Sequence, residues 1–347
     1  MLYPKYLTKG DGIGITAPSD GNKKETDFIR LDNGKKKLQD RGYHVIETAS
    51  VRSSNKGRSN TKEIRGKEFM ELIENKDIAY IVSAKGGDFL MEMLPYIDYD
   101  KIKANPKWFQ GYSDNTGLIH TITTKCDMAT LYSANFNEYG MEEWHKAVQN
   151  NMDLVEGNLT IQESFDLYED GYYDKITGLE GYTLEKPVYW KNTNINAKNQ
   201  ETLEAPEITM SGIMLGGCLD VLLNLVGTRF DSTVSFIEKY KEQGIIWYLE
   251  SFALDSESIT RGLWQLKEAG WFQYTKGFIF GRPMFFDQEY YIPYEEAVLT
   301  ALEDYNKPII LDADIGHKAP QMTIINGAPA TITCKEGKGT IEFNLTN

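Results

Sequence analysis

Cysteine is scarce in this chain of 347 residues: Cys126, Cys218 and Cys334 lie far apart and are odd in number. With no C-x-x-C pair, neither a disulfide framework nor a structural zinc site has support. Positive charge is also short, with 37 Lys and Arg against 51 Asp and Glu and a formal net charge of -14. Phosphate backbones and anionic lipid need clustered cations, so nucleic acid and membrane surfaces are poor partners. Nowhere is there an apolar run near the roughly 20 residues of a spanning helix. The opening MLYPKYLTKGDGIGITAPSD lacks the charged-then-apolar pattern of a signal peptide. A cytoplasmic protein is expected. With 41% hydrophobic and 25% charged residues, the chain has a folded rather than a disordered composition, and its length allows two domains.

What is present is an alternation of short apolar runs with amphipathic stretches, the pattern of β-α-β units and a parallel sheet. Strands are expected at Gly12–Pro18, Tyr43–Thr48, Ile78–Ala84 and Trp108–Tyr112. Helices are expected at Phe28–Arg41, Lys62–Asn75 and Gly117–Thr124, with helical spacing also through Leu90, Met93 and Leu94. A Tyr-, Asn-, Glu- and Lys-rich stretch without sustained periodicity follows from about Asn150 to Pro206. The expected organisation is an N-terminal α/β domain over 1–165, a linker or insertion over 166–207, and a C-terminal domain over 208–347. In the last, Leu219–Val226 reads as a helix and Ile245–Leu249, Gly277–Phe280 and Ile309–Ala313 as strands. The tail Met322–Phe343 alternates as antiparallel strands do.

Ligand sites of open parallel sheets form at the carboxyl ends of strands. Four such ends carry unusual groups. Ser113 lies between a strand and a helix, where a sharp turn lifts a hydroxyl into the open and makes the backbone N–H of Asp114 an oxyanion donor. The competing reading is a plain helix N-cap. His317, on a Gly-flanked loop after PIILDADIG, suits a general base. His44 lies in a strand, His145 in an exposed stretch, and His120 is two turns into a helix, suited to packing. Glu250, ending IIWYLE, can hold an imidazole in its productive tautomer. Asp312 and Asp314 compete for that role by their nearness to His317. The pair Gly86-Gly87 demands a tight turn or close approach and can supply a second oxyanion N–H. The G-x-x-x-x-G-K-[ST] phosphate loop is absent.

At these residues the chain resembles the LD-carboxypeptidase family of serine peptidases, which includes muramoyl-tetrapeptide carboxypeptidases and microcin C self-immunity proteins. The similarity runs in order through GIGITAPS, SAKGGDFLMEMLPYIDYDKI, KWFQGYSDNTGL, GGCLDVLLNLVGT, ITRGLWQLKEAGWF, GFIFGR and GHKAPQMTIINGAPATI. It implies Ser113 as nucleophile, His317 as base, Glu250 as the residue orienting it, and the backbone N–H groups of Gly86 and Asp114 as the oxyanion hole. No metal and no cofactor are implied.

The implied fold is a flavodoxin-like parallel-sheet N-terminal domain plus a β-rich α/β C-terminal domain, with the active site in the interdomain cleft, and homodimers are usual. The implied activity removes a terminal D-amino acid from a cell-wall-derived tetrapeptide, as in peptidoglycan recycling. The alternative is a microcin-immunity-like amidase acting on aminoacyl-nucleotides. A non-catalytic α/β binding module is the reading from another class. Substrate contacts are expected at Gly87, at Trp190 as an aromatic platform in VYWKNTN, and at Cys218, where the family commonly has Asn after its glycine pair. Asp88-Phe89 also departs from the Tyr-Gly frequent in muropeptide enzymes.

Overall fold

The computed structural model describes residues 1–196, 201–204, 207–286 and 292–345. Residues 197–200 and 205–206 of the expected insertion lie outside the described residues. The chain divides into two compact units. The first comprises Met1–Leu159, Tyr173–Thr183 and Thr323–Asn326; the second comprises Thr160–Tyr172, Leu184–Met322 and Gly327–Asn347.

The first unit is built on strands β1 (Gly12–Thr16), β2 (His44–Glu47), β3 (Ile78–Ser83), β4 (Trp108–Gly111) and β5 (Thr130–Tyr132). They pair in parallel in the order 2-1-3-4-5, a flavodoxin-like arrangement. A sixth strand, β15 (Ile324–Asn326), comes from far down the chain and pairs antiparallel with β5. Helices α1 (Glu25–Asp40), α2 (Lys62–Glu74), α3 (Tyr99–Ala104), α4 (Thr116–Cys126) and α5 (Lys146–Val155) make the crossovers and packing. Helix α2 starts at Thr61, whose hydroxyl accepts the Ile64 N–H, and buries Phe69, Leu72 and Ile73 as its spacing predicts. Phe69 then meets Phe109 of β4 edge-on, at 5.2 Å between ring centroids. Leu90–Tyr96 winds as a 3-10 helix rather than an α-helix. Pro95 sits inside it and has no N–H to continue an α-helical ladder.

A buried polar network ties this unit together. The Asn151 side-chain amide donates to Gln110 Oε1 at 2.6 Å and to Thr323 Oγ1 at 3.0 Å. Its carbonyl oxygen accepts from the Tyr139 hydroxyl, which lies 2.9 Å from that of Tyr80. Helix α5, strands β3 and β4 and the residue preceding β15 therefore share one amide.

The second unit centres on four parallel strands, β11 (Glu207–Cys218), β12 (Ile245–Glu250), β13 (Thr275–Gly281) and β14 (Pro308–Ala313). Strand β12 is buried at every position, as a central strand covered on both faces must be. Antiparallel strands extend the sheet on both sides. Beyond β14 lie β9 (Lys191–Asn196) and β10 (Glu201–Glu204); beyond β11 lie the hairpin β16 (Pro329–Lys335) and β17 (Lys338–Phe343), then β6 (Ile161–Glu163). A separate two-stranded ribbon joins β7 (Leu167–Tyr168) to β8 (Lys186–Pro187). Helices α6 (Leu219–Leu225), α7 (Thr233–Lys239), α8 (Ser256–Glu268) and α9 (Tyr294–Leu302) complete the unit. The stretch expected to be a linker thus contributes strands to this sheet. Among the described residues no helix is long and apolar enough to cross a membrane.

Replacing Asn151 by Ala strands the buried hydroxyls and amide that now converge on it. The expected loss is at least about 2 kcal/mol of unfolding free energy, since each orphaned buried group costs roughly 1–3 kcal/mol. Urea denaturation measures it; a midpoint unchanged from wild type would mean the network adds nothing.

Candidate active site

In the first unit the loops after β1, β3 and β4, three neighbouring strands, converge on Ser113. Its backbone is left-handed, with φ of 62°, a strained conformation for a residue with a side chain. The turn is braced by Asn115, whose amide donates to the carbonyls of Lys85 (3.0 Å) and Tyr112 (3.1 Å) and to Asn135 Oδ1 (3.1 Å). The loop carrying Gly86 and the turn carrying Ser113 are thereby tied to each other. A methyl group on Gly86 would sit 3.0 Å from both Cβ and Oγ of Ser113 and 3.8 Å from the amide nitrogen of Asp114. Glycine is what lets the two loops close to this distance.

Asp114 has a second task. Its carboxylate accepts the Ser19 hydroxyl and, at 2.8 Å, the Leu90 N–H, joining the β1, β3 and β4 loops. Burial pushes its pKa up, and these two donors oppose the rise. Gly87 faces Ser19: a side chain there would meet the Ser19 hydroxyl at 2.3 Å. Ser19 and Asn115 were not singled out by sequence reasoning. The Pro-Ser turn after the first strand and the N of GYSDNT were the available signals.

In the second unit, Cys218, Glu250, Gly281 and the segment after Ala313 end four adjacent parallel strands. His317 Nδ1 lies 2.7 Å from Glu250 Oε2, with side chains 5% and 0% exposed. Gly316 makes the approach possible: with φ of 93°, a Cβ there would lie 2.5 Å from Glu250 Oε2.

Neither rival aspartate has this contact. Asp314 is buried, paired through Oδ1 with Arg282 at 2.6 Å. Its Oδ2 accepts the Phe165 N–H at 3.0 Å and the Trp190 indole N–H at 3.1 Å. Asp312 pairs with Lys191 Nζ at 3.0 Å. The remaining histidines are elsewhere: His44 is exposed on β2, His120 is buried in α4, and His145 caps α5 by accepting the Ala147 N–H.

Two of the expected ligand contacts, Trp190 and Cys218, are buried. Trp190 has no exposed surface, and its ring fills the space over Gly339, where a Cβ would collide with it at 2.0 Å. Bonded to Asp314, it is a core residue with no face left for a platform; its neighbour Tyr189 is the exposed one, at 56%. Cys218 is also buried, and lies opposite Glu250 in the β11–β12 register. Its thiol is 3.5 Å from Asp220 Oδ2. Burial, then the charges of Glu250 and Asp220, raise its pKa well above the ordinary thiol value.

A cavity of about 400 Å³ opens on the same sheet edge, with Tyr168, Lys191, Arg282, Tyr294, Asp312 and Lys318 in its walls. Burial raises the Tyr294 phenol well above its usual pKa, helped by Asp312 and Glu250. Among the described residues no group of three or more His, Cys, Asp or Glu is placed to hold a metal ion.

Fold and site together define a two-domain α/β protein with reactive groups at the carboxyl ends of parallel strands in each domain. Sequence models of the LD-carboxypeptidase N-terminal domain and C-terminal domain match residues 13–133 and 211–332. The chain belongs to the LD-carboxypeptidase family, and the family makes it a hydrolase.

A Vibrio cholerae protein named as a carboxypeptidase is 27% identical, the match covering 96% of this chain and 95% of the relative. The microcin C7 self-immunity protein MccF of Escherichia coli is 28% identical, covering 95% and 93%. The solved structure of MccF in complex with aspartyl sulfamoyl adenosine has the same fold, with a TM-score of 0.81 at 23% identity and 99% of each chain covered.

Asp314→Ala leaves Arg282 buried without its partner, and is expected to cost about 3–5 kcal/mol. Gly316→Ala, forced into a left-handed conformation against Glu250, is expected to cost about 1–3 kcal/mol. Urea unfolding measures both; a loss below about 1 kcal/mol for Asp314→Ala would refute its role as a structural hub.

Proposed function

We propose that the chain is a serine-type LD-carboxypeptidase, hydrolysing the amide bond to the terminal D-amino acid of a cell-wall-derived tetrapeptide through an acyl-enzyme. The observation that carries this reading is the buried His317–Glu250 pair. A carboxylate on Nδ1 stabilises the tautomer with the proton on that nitrogen, so that Nε2 is the basic one. Ser113, on its strained turn, is the nucleophile: its hydroxyl attacks the scissile carbonyl as His317 takes its proton. The backbone N–H groups of Gly86 and Asp114 stabilise the tetrahedral oxyanion, each contributing about 3 kcal/mol. His317 then protonates the leaving amine, and water, activated in the same way, releases the product acid. Glu250 stays ionised and stabilises the imidazolium that forms.

A second reading, a microcin-immunity-like amidase cleaving aminoacyl-nucleotide conjugates, is favoured by the MccF relative and its complex with aspartyl sulfamoyl adenosine. It uses the same three side chains. Under either reading the ligand is a small peptide or aminoacyl-nucleotide. A cytoplasmic location and a homodimer accompany both as proposals, the second tested by sedimentation.

The deciding experiment incubates an L,D-tetrapeptide muropeptide, and separately aspartyl sulfamoyl adenosine, with wild type and Ser113→Ala, and follows products by mass spectrometry. Release of D-alanine by wild type, reduced about 10⁴-fold or more in the variant, is expected. Glu250→Gln should be roughly tenfold to a hundredfold gentler than Ser113→Ala. Cleavage of the adenosine conjugate alone would select the second reading. Undiminished turnover in purified Ser113→Ala would overturn the nucleophile.

A further inference from the structure

Asp220, in the first turn of α6, faces the chain just beyond Glu250. Its Oδ2 accepts the Phe252 N–H at 3.0 Å and its Oδ1 accepts the Ala253 N–H at 3.1 Å. One carboxylate thus grips two successive backbone amides, an arrangement whose geometry is specific and whose bonds are strengthened by charge. The same turn is held from the other side, where the Met284 N–H donates to the Ser251 carbonyl at 3.1 Å and the Phe285 N–H to the Phe252 carbonyl at 2.8 Å. The Phe285 ring meets the Phe252 ring edge-on at 5.1 Å.

What this clamp presents is the ring of Phe252. It lies against the imidazole of His317, with centroids 4.6 Å apart and planes tilted by 46°. Glu250 hydrogen-bonds one ring nitrogen at 2.7 Å, and a hydrogen bond by itself permits a ring to pivot about it. An aromatic ring against the imidazole limits the pivot, and also attracts the imidazolium formed when the base takes its proton.

We infer that Asp220 is a positioning residue for His317, acting through the Ser251–Ala253 turn and the ring of Phe252. Glu250 and Phe252 are two residues apart in sequence and both bear on the imidazole, so the segment leaving β12 supplies its orientation from two directions. Asp220 is the side chain that sets the second direction. The inference rests on the proposed role of His317 for its effect on rate, but not for the contact itself.

Two readouts separate these. The four histidines allow His317 to be assigned in a histidine-labelled sample by comparison with His317→Gln. In wild type its ring protons should carry the shift that a neighbouring aromatic ring induces. Phe252→Leu should remove that shift, and Asp220→Ala should move the resonances most of the way to the Phe252→Leu position. Asp220→Asn keeps one acceptor and should fall between; it also serves if the Ala variant fails to fold. In tetrapeptide hydrolysis, Asp220→Ala should lower kcat about tenfold to a hundredfold with KM within about twofold, as misplacing a catalytic group does. His317 resonances left at their wild-type position in both Asp220 variants would overturn the inference. So would resonances insensitive to Phe252→Leu. If wild type leaves the tetrapeptide intact, the activity reading fails while the resonances still decide the positioning role.

Discussion

Around one buried carboxylate the second domain is arranged. Glu250 has no exposed side-chain surface, and a carboxylate so enclosed is tolerated only when its neighbours supply hydrogen bonds or opposite charge. Its neighbours are chosen by that need. Gly316 has no side chain, so the His317 loop can bend over it. Cys218, opposite in register, is small and carries a weak donor. The imidazole of His317 hydrogen-bonds Oε2 of Glu250. Changing any of these alters the solvation of Glu250 before it alters any contact with a ligand.

The first domain solves a different problem, holding a serine in a conformation its own backbone resists. The strain at Ser113 persists because Asn115 and Asp114 bind the surrounding loops from two sides. Asp114 divides its labour: its carboxylate ties the β1 and β3 loops to the turn, while its backbone N–H is the group the proposed chemistry uses. The Asp114 carboxylate is thus explained by anchoring rather than by acid–base work.

Much of this was legible in the sequence because it depends on local pattern. Apolar runs leading into Gly86-Gly87, Ser113, Glu250 and the His317 loop gave the strands and their carboxyl ends, and a strand end on a parallel sheet is where ligands bind. What local pattern alone left open, and the family resemblance assigned to Glu250, was which carboxylate faces His317. Asp314 is three residues away in sequence, yet it is turned inward to Arg282, Phe165 and Trp190, whereas Glu250, 67 residues away, makes the bond. Sequence distance says nothing about the side of a strand's exit on which a carboxylate falls. Trp190 misled for a related reason. Adjacent aromatic residues in an extended segment face opposite ways, and Gly337 and Gly339 in the β16–β17 hairpin leave room for both Tyr189 and Trp190. Those two glycines, spaced by one residue in a strand-like tail, were the unread signal that large rings pack over the hairpin. The spacing of Leu90, Met93 and Leu94 suits an α-helix, but Pro95 has no N–H to continue an α-helical ladder and the segment winds as a 3-10 helix.

Strand β15 sits at the edge of a sheet whose other members are all complete by residue 132. During synthesis the hydrogen-bonding edge of β5 therefore emerges and waits while almost the whole second domain is made. At roughly 5–20 residues per second, the interval between residues 132 and 324 is about ten to forty seconds. The same interval leaves the polar network on Asn151 without Thr323. The first domain is thus encoded early but finished late, and a chaperone or a neighbouring nascent chain has its best opportunity at that bare edge.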